Sequence, residues 1–157
     1  MSIVIQKITA HQILDSRGNP TIEANVFLSD GSMGTASVPS GASTGDKEAI
    51  ELRDTDNPKW CYLGVSLAIE NIEKNIAPAL FNKSPFDLEK IDQTMKDLDG
   101  TKNKSKLGAN AILAVSLATL KSAAISQKSS LFNYISKIYL EKEKNKKAPE
   151  KYLMPTP

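Results

Sequence analysis

The sequence predicts an α+β fold, a three-stranded antiparallel meander followed by a helical bundle, and three observations lead there. Apolar residues alternate with polar ones near the N-terminus, and the alternating runs are joined by short, turn-rich links. After Pro39 the apolar spacing becomes helical. Because every strand precedes every helix, the βαβ alternation of a doubly wound sheet is missing, and the helices are expected on one face of a small sheet.

From Ile3 to Pro39 the chain reads as three strands. The second is the clearest: Ile22, Ala24, Val26 and Leu28 alternate with Thr21, Glu23, Asn25 and Phe27, the period of a strand with one buried face. Asp15-Ser16-Arg17-Gly18-Asn19-Pro20 forms the turn before it, and Ser29-Asp30-Gly31-Ser32 a tighter one after it. Links this short favour antiparallel pairing.

Asp56-Asn57-Pro58 supplies N-cap candidates and an early proline for the first helix. Val65, Ala68, Ile69, Ile72, Ile76 and Leu80 then follow helical spacing, with Pro78 ending or kinking the helix. Ser84-Pro85-Phe86-Asp87 resembles a capping box ahead of a stripe of Leu88, Ile91, Met95 and Leu98, which stops at Asp99-Gly100. After a polar loop, Thr101 to Lys106, small and apolar residues from Leu107 to about Ile125 occupy nearly every face, predicting the buried central helix. A last short helix carries Leu131, Phe132, Ile135 and Ile138. Trp60 and Cys61 read as packing residues.

At about 100–200 residues per domain, 157 residues correspond to one domain, or one with a tail, and fall short of the roughly 200 that a TIM barrel needs. Twenty basic side chains against 18 acidic ones leave a net charge of +2, too little field to gather nucleic acid or an anionic membrane. One cysteine, Cys61, and one histidine, His11, exclude a Cys/His zinc cage and an internal disulfide. The start, MSIVIQKITAHQ, lacks the pattern of a signal peptide, and polar residues interrupt the longest apolar stretch, so no membrane span and a cytoplasmic setting are expected.

The most unusual segment is Pro39-Ser40-Gly41-Ala42-Ser43-Thr44-Gly45, with three hydroxyls, two glycines and nothing apolar larger than alanine after its proline. Such a loop suits three tasks: turning backbone N–H groups to an anion, placing neutral oxygens on a hard cation, or hinging at its glycines. It is not a Walker A loop, since Gly41 and Gly45 are too close and no Ser or Thr adjoins Lys47. Composition leaves these readings open beside that of a plain connector.

Four blocks carry a resemblance to a known family: Leu14 to Thr21, Val38 to Gly45, Glu51 to Asp54, and Leu98 through Leu113. In order and spacing they resemble enolase, of a bacterial type, over nearly the whole chain. The resemblance implies an α+β N-terminal domain, over 1–140, and a charged linker over 141–157 that leads toward a barrel absent from this chain. It implies the reversible dehydration of 2-phosphoglycerate to phosphoenolpyruvate in glycolysis, with Mg²⁺ as cofactor and a homodimer as the full-length form. The base, acid and carboxylate metal ligands of the family belong to the barrel, so the chain alone is expected to be inactive.

Within this sequence the resemblance assigns the substrate loop to Ser40, Gly41, Ala42, Ser43, Thr44 and Gly45. It implies that Ser43 binds a second Mg²⁺ through its hydroxyl and carbonyl oxygens as the loop closes. Glu23 matches a position that pairs with an arginine across the dimer interface, and His11 replaces an arginine used in another intersubunit pair. Arg17 and Arg53 are expected to anchor turns or the neighbouring barrel. The chain departs from the family's Gly-Lys-Gly-Val with Tyr62-Leu63-Gly64-Val65, and from its usual pair after the loop with Asp46-Lys47. The rival readings are a non-catalytic interaction or dimerisation module, and a phosphate-binding domain built on the same loop.

Overall fold

Strands β1 (Ile5–Leu14), β2 (Pro20–Leu28) and β3 (Met33–Ser37) pair in that order, each antiparallel to the next. The computed structural model of the chain describes residues 2–39, 45 and 48–142. The register places Ala10 opposite Ala24 and Ala24 opposite Ala36. Ile22, Ala24, Val26 and Leu28 are all buried, so the alternation marks the core face as expected. In the β2–β3 turn, Leu28 N–H donates to the Ser32 carbonyl at 2.9 Å and Gly31 takes a positive φ of 86°. Thr21, assigned by alternation to the outer face, is buried instead, because the chain beyond β3 folds over the end of the sheet at Val38.

A three-ten turn (Lys59–Tyr62) precedes α1 (Ser66–Asn71), a π turn (Ile72–Ile76) and α2 (Ala77–Leu80). In the π turn Ala77 N–H bonds back to the Ile72 carbonyl. This shifted register precedes Pro78, which cannot donate to the helix. Asp56-Asn57-Pro58 does not cap α1. Asp54 does, its two carboxylate oxygens accepting from Ser66 N–H and Leu67 N–H at 2.9 Å each. Burial by itself pushes the Asp54 carboxyl up, but these N–H bonds and the Arg53 guanidinium outweigh it and hold the group below its ordinary range.

The three-ten turn also changes the reading of Trp60 and Cys61, which are exposed rather than packed. Trp60, Cys61 and Tyr62 take φ values of 59°, 53° and 65°, a left-handed course that leaves these side chains outside the core while Val65 fills it. Tyr62 stands where the resemblance expects glycine. The turn survives, at a conformational cost of about 1–2 kcal/mol for a left-handed residue with a Cβ. We predict that Tyr62→Gly raises stability by about 0.5–1 kcal/mol once glycine's extra chain entropy is subtracted. Urea unfolding is the check, and an unchanged or lower midpoint would refute this.

Helix α3 (Leu88–Asp99) begins at Asp87, whose carboxylate accepts Lys90 N–H at 3.2 Å, and stops at left-handed Gly100. The cap is therefore Asp87 rather than Ser84, one turn later than a capping box over Ser84–Asp87 would start it. Asp99, buried at the helix end, accepts from Thr101 N–H and Leu107 N–H at 2.9 and 2.8 Å and from the Thr101 hydroxyl. Burial pushes its carboxyl up, and these bonds, helped by the Lys104 ammonium, reverse the effect and keep it below the usual value. The polar loop after α3 is thus organised around one carboxylate.

Helix α4 (Ala109–Ser126) lies against β2 and β3. It is long and apolar enough to cross a membrane, yet half of it is buried within the domain, as the central helix expected from the sequence. A Cβ on Gly34 of β3 would stand 2.2 Å from the Ala118 carbonyl oxygen and 2.3 Å from Ser122 N. Lys121 Nζ donates to the Thr35 carbonyl at 2.9 Å, covering one acceptor of the edge strand.

Helix α5 (Leu131–Lys142) buries Tyr134, with Leu131 and Ile138 packed beside it. Phe132 and Ile135, the other apolar residues named for this helix from sequence, are 56% and 46% exposed. At a spacing of 3.6 residues per turn, contact through 131, 134 and 138 turns 132 and 135 outward. The expected domain boundary near 140 falls in the last turn of α5, and residues 143–157 lie outside the described residues.

Candidate functional site

Ser40, Gly41, Ala42, Ser43 and Thr44 lie outside the described residues, as do Asp46 and Lys47. The flanking chain is described, and it is held on both sides. On the N-terminal side, Val38 N–H donates to the Ile22 carbonyl at 3.0 Å and the buried Thr21 hydroxyl donates to the Val38 carbonyl. Pro39 follows at once.

Beside this root stands the β1–β2 turn. Asp15 Oδ1 accepts Asn19 N–H at 2.8 Å and Arg17 N–H at 2.9 Å, and the Arg17 guanidinium stands 3.4 Å from Oδ2. The Asn19 bond, followed by the Arg17 contacts, lowers the Asp15 carboxyl from its ordinary value. The turn and the strand exit enclose an open cleft of about 430 Å³ lined by Asp15, Arg17, Thr21, Ser37 and Pro39 among others. Arg17 thus anchors its turn, as expected.

On the C-terminal side, Gly45 is described, and its carbonyl accepts Glu48 N–H at 2.9 Å. Ile50 N–H donates to Asn103 O, and Ala109 N–H donates to Ile50 O, each at 2.8 Å. Next to these bonds the buried Asn110 amide pairs with Leu52 as a neighbouring strand would. Its Oδ1 accepts Leu52 N–H at 3.1 Å and its Nδ2 donates to Leu52 O at 3.0 Å. Arg53 closes the ring: its guanidinium donates to the carbonyls of Pro20 and Leu63 and to the Glu51 carboxylate. Both flanks of the loop are therefore tied to adjoining parts of one frame, through Thr21 on one side and Arg53 and Asn110 on the other.

Asn110 and Thr21 escaped the sequence reading. An amide at the start of an otherwise apolar helix was the available signal for the first; nothing local marks the second, a hydroxyl at an ordinary strand position. The helical turn that follows the loop in sequence begins at Lys59, whereas in space the first residues of α4, Ala109 and Asn110, adjoin the loop's C-terminal flank at Ile50 and Leu52. Among the described residues no three His, Cys, Asp or Glu side chains come together as a metal cage.

His11 and Glu23 face each other across β1 and β2 on the outer side of the sheet, Nε2 to Oε1 at 3.0 Å. Ser37, opposite Glu23 on β3, donates its hydroxyl to Oε2 at 2.8 Å. Both oxygens of Glu23 are thus engaged within the chain.

Comparison with known proteins follows this geometry. The family profile of the enolase N-terminal domain matches residues 5–135. Enolase of Anaplasma phagocytophilum (strain HZ) is 56% identical over 131 residues, covering 83% of this chain and 30% of that protein. Enolase 2 of Lactococcus lactis subsp. lactis (strain IL1403) and Enolase 1 of Lactococcus lactis subsp. cremoris (strain SK11) are each 52% identical over 141 residues, covering 90% of this chain and 33% and 34% of those proteins. The chain spans about a third of the length of the curated relatives it matches. With a meander of three strands, a buried central helix and a Pro-Ser-Gly-Ala-Ser-Thr-Gly segment strung between two anchored flanks, this chain belongs to the enolase family, matching its N-terminal domain.

Proposed function

We propose that this chain is the N-terminal part of a phosphopyruvate hydratase, which reversibly dehydrates 2-phosphoglycerate to phosphoenolpyruvate in glycolysis in the cytoplasm. The observation that carries the reading is family membership over residues 5–135, together with a loop sequence whose two flanks are held by Thr21 and Asn110. The chain contributes the loop Ser40 to Gly45 and a dimer surface around Glu23 and His11; the base and acid come from the rest of the enzyme.

Mg²⁺ fits this division. A hard cation takes oxygen donors and keeps several ligands besides any one side chain. Ser43 offers it a hydroxyl and a carbonyl oxygen, and the remaining ligands are supplied from outside this chain. When bound, Mg²⁺ offsets negative charge that accumulates on the substrate carboxylate. Small residues on either side let the backbone approach closely, and covering the substrate excludes water.

The test is a pair of serines in the full-length enzyme. Ser43→Ala is expected to lower activity about tenfold or more, the scale of losses around metal sites, and to raise the Mg²⁺ concentration needed for half-maximal rate. Ser40→Ala, which alters the loop without removing the assigned ligand, should change both far less. Equal losses from the two changes would remove the ligand role.

A further inference from the structure

The two outer edges of the sheet are treated differently by the chain. At the start of β1, Ile5 N–H donates to the Lys83 carbonyl and the Ile5 carbonyl accepts Asn82 N–H, each at 2.9 Å, and α1 and α2 pack beside the strand. At the other edge β3 ends the strand order. The register fixes which of its groups face outward. Leu28 N–H bonds to Ser32 and Val38 N–H to Ile22, so the alternate residues between them, Gly34 and Ala36, exchange backbone bonds with β2. Met33, Thr35 and Ser37 therefore turn their N–H and C=O groups away from the sheet.

From Met33 to Ser37 the strand holds no charged residue and no proline, the usual deterrents to pairing at an edge. Met33 and Ile125 stand exposed along an open groove of about 360 Å³ beside it. Among the described residues, Lys121 of α4 supplies the deterrent that the strand lacks. Its ammonium donates to the Thr35 carbonyl at 2.9 Å, across 86 residues of sequence.

We propose that Lys121 guards this edge against antiparallel pairing with β3 of a second copy. Self-pairing over all five residues of β3 places a two-fold axis at Thr35, with Thr35 facing Thr35 and Met33 facing Ser37. The two central bonds each require the Thr35 carbonyl to which Lys121 already donates. Pairing would also bring the two ammonium groups to one centre, where like charges repel. Without the lysine, the strand presents outward-facing hydrogen-bonding groups and an exposed methionine, with no charge to keep a second copy away.

Sedimentation of the full-length protein over a concentration series tests this. Lys121→Met keeps an unbranched side chain without charge or donor. It should add an association step at least about tenfold stronger than in the unmodified protein, since pairing no longer displaces a charged hydrogen bond on each copy. Lys121→Arg, which keeps a charged donor, should behave as the unmodified protein. In the Lys121→Met background, Thr35→Pro removes an N–H that faces away from β2 and should abolish the added step; association caused by misfolding would survive it. Hydrogen exchange at Thr35 in Lys121→Met should slow as concentration rises. Equal masses for Lys121→Met and the unmodified protein at every concentration overturn the inference. So does added association that persists with Thr35→Pro or appears in Lys121→Arg.

Discussion

Gly34→Ala is expected to destabilise the domain by about 3 kcal/mol, lowering the melting temperature by roughly 6–12 °C for a chain of this size. The added methyl would lie within 2.3 Å of two backbone atoms of α4, the Ala118 carbonyl oxygen and Ser122 N. Neither can swing aside as a side chain would. Relief requires α4 to move off β3, and α4 carries Ala111, Ala114, Val115 and Ala118 of the core. The Lys121 contact to Thr35 would lengthen with it. Thermal unfolding followed by circular dichroism checks this. A loss below about 1 kcal/mol, the lower end for overpacking, would show that the two elements separate more easily than their contact implies.

Asn110→Ala is expected to cost about 2–4 kcal/mol, since it leaves the N–H and the carbonyl of Leu52 without partners at a part-buried site and each orphaned group costs roughly 1–3 kcal/mol. Asn110→Asp should be almost as damaging, because one amide donor becomes an acceptor facing the Leu52 carbonyl. The loss should also be local. Hydrogen exchange at Leu52 and Ile50 should accelerate more than exchange in β1 and β2, since Asn110 holds the chain that follows the Ser40–Gly45 loop and not the meander. Uniform acceleration across the domain would assign Asn110 to global stability alone.

Together these two positions show where the family's architecture is enforced in this chain. Gly34 sets how closely the central helix approaches the sheet, and Asn110 sets where the chain returns after the loop. Under the function proposed above, the loop needs fixed supports if its few residues are to reach a substrate reproducibly. Thr21 and Asn110 supply supports of that kind on opposite flanks, and Arg53 joins them by binding the Pro20 carbonyl next to Thr21.

Much of this was legible in advance because it rests on short-range signals. The alternation from Ile22 to Leu28 marked the core face of β2, and Asp99-Gly100 marked the end of α3. Where the reading failed, a distant residue had taken over a local task. Asp54, 12 residues away from Ser66, displaced the nearer Asp56-Asn57 as the cap of α1. In the last helix the apolar residues lie on more than one face, and only the position of α4 decides which face is covered.

The sequence by itself determined the class of fold, the order of its elements and, through four blocks in matching order, the family. These follow from periodicity, turn chemistry and residue identity, which act over a few positions or are read directly. Only the tertiary structure decided that Asn110 clasps Leu52 across 58 residues, that Lys121 reaches Thr35 across 86, and that both oxygens of Glu23 are engaged within its own sheet. A buried polar group takes whichever partner the packed chain brings within about 3 Å, and which partner that is depends on how helices and strands settle against one another.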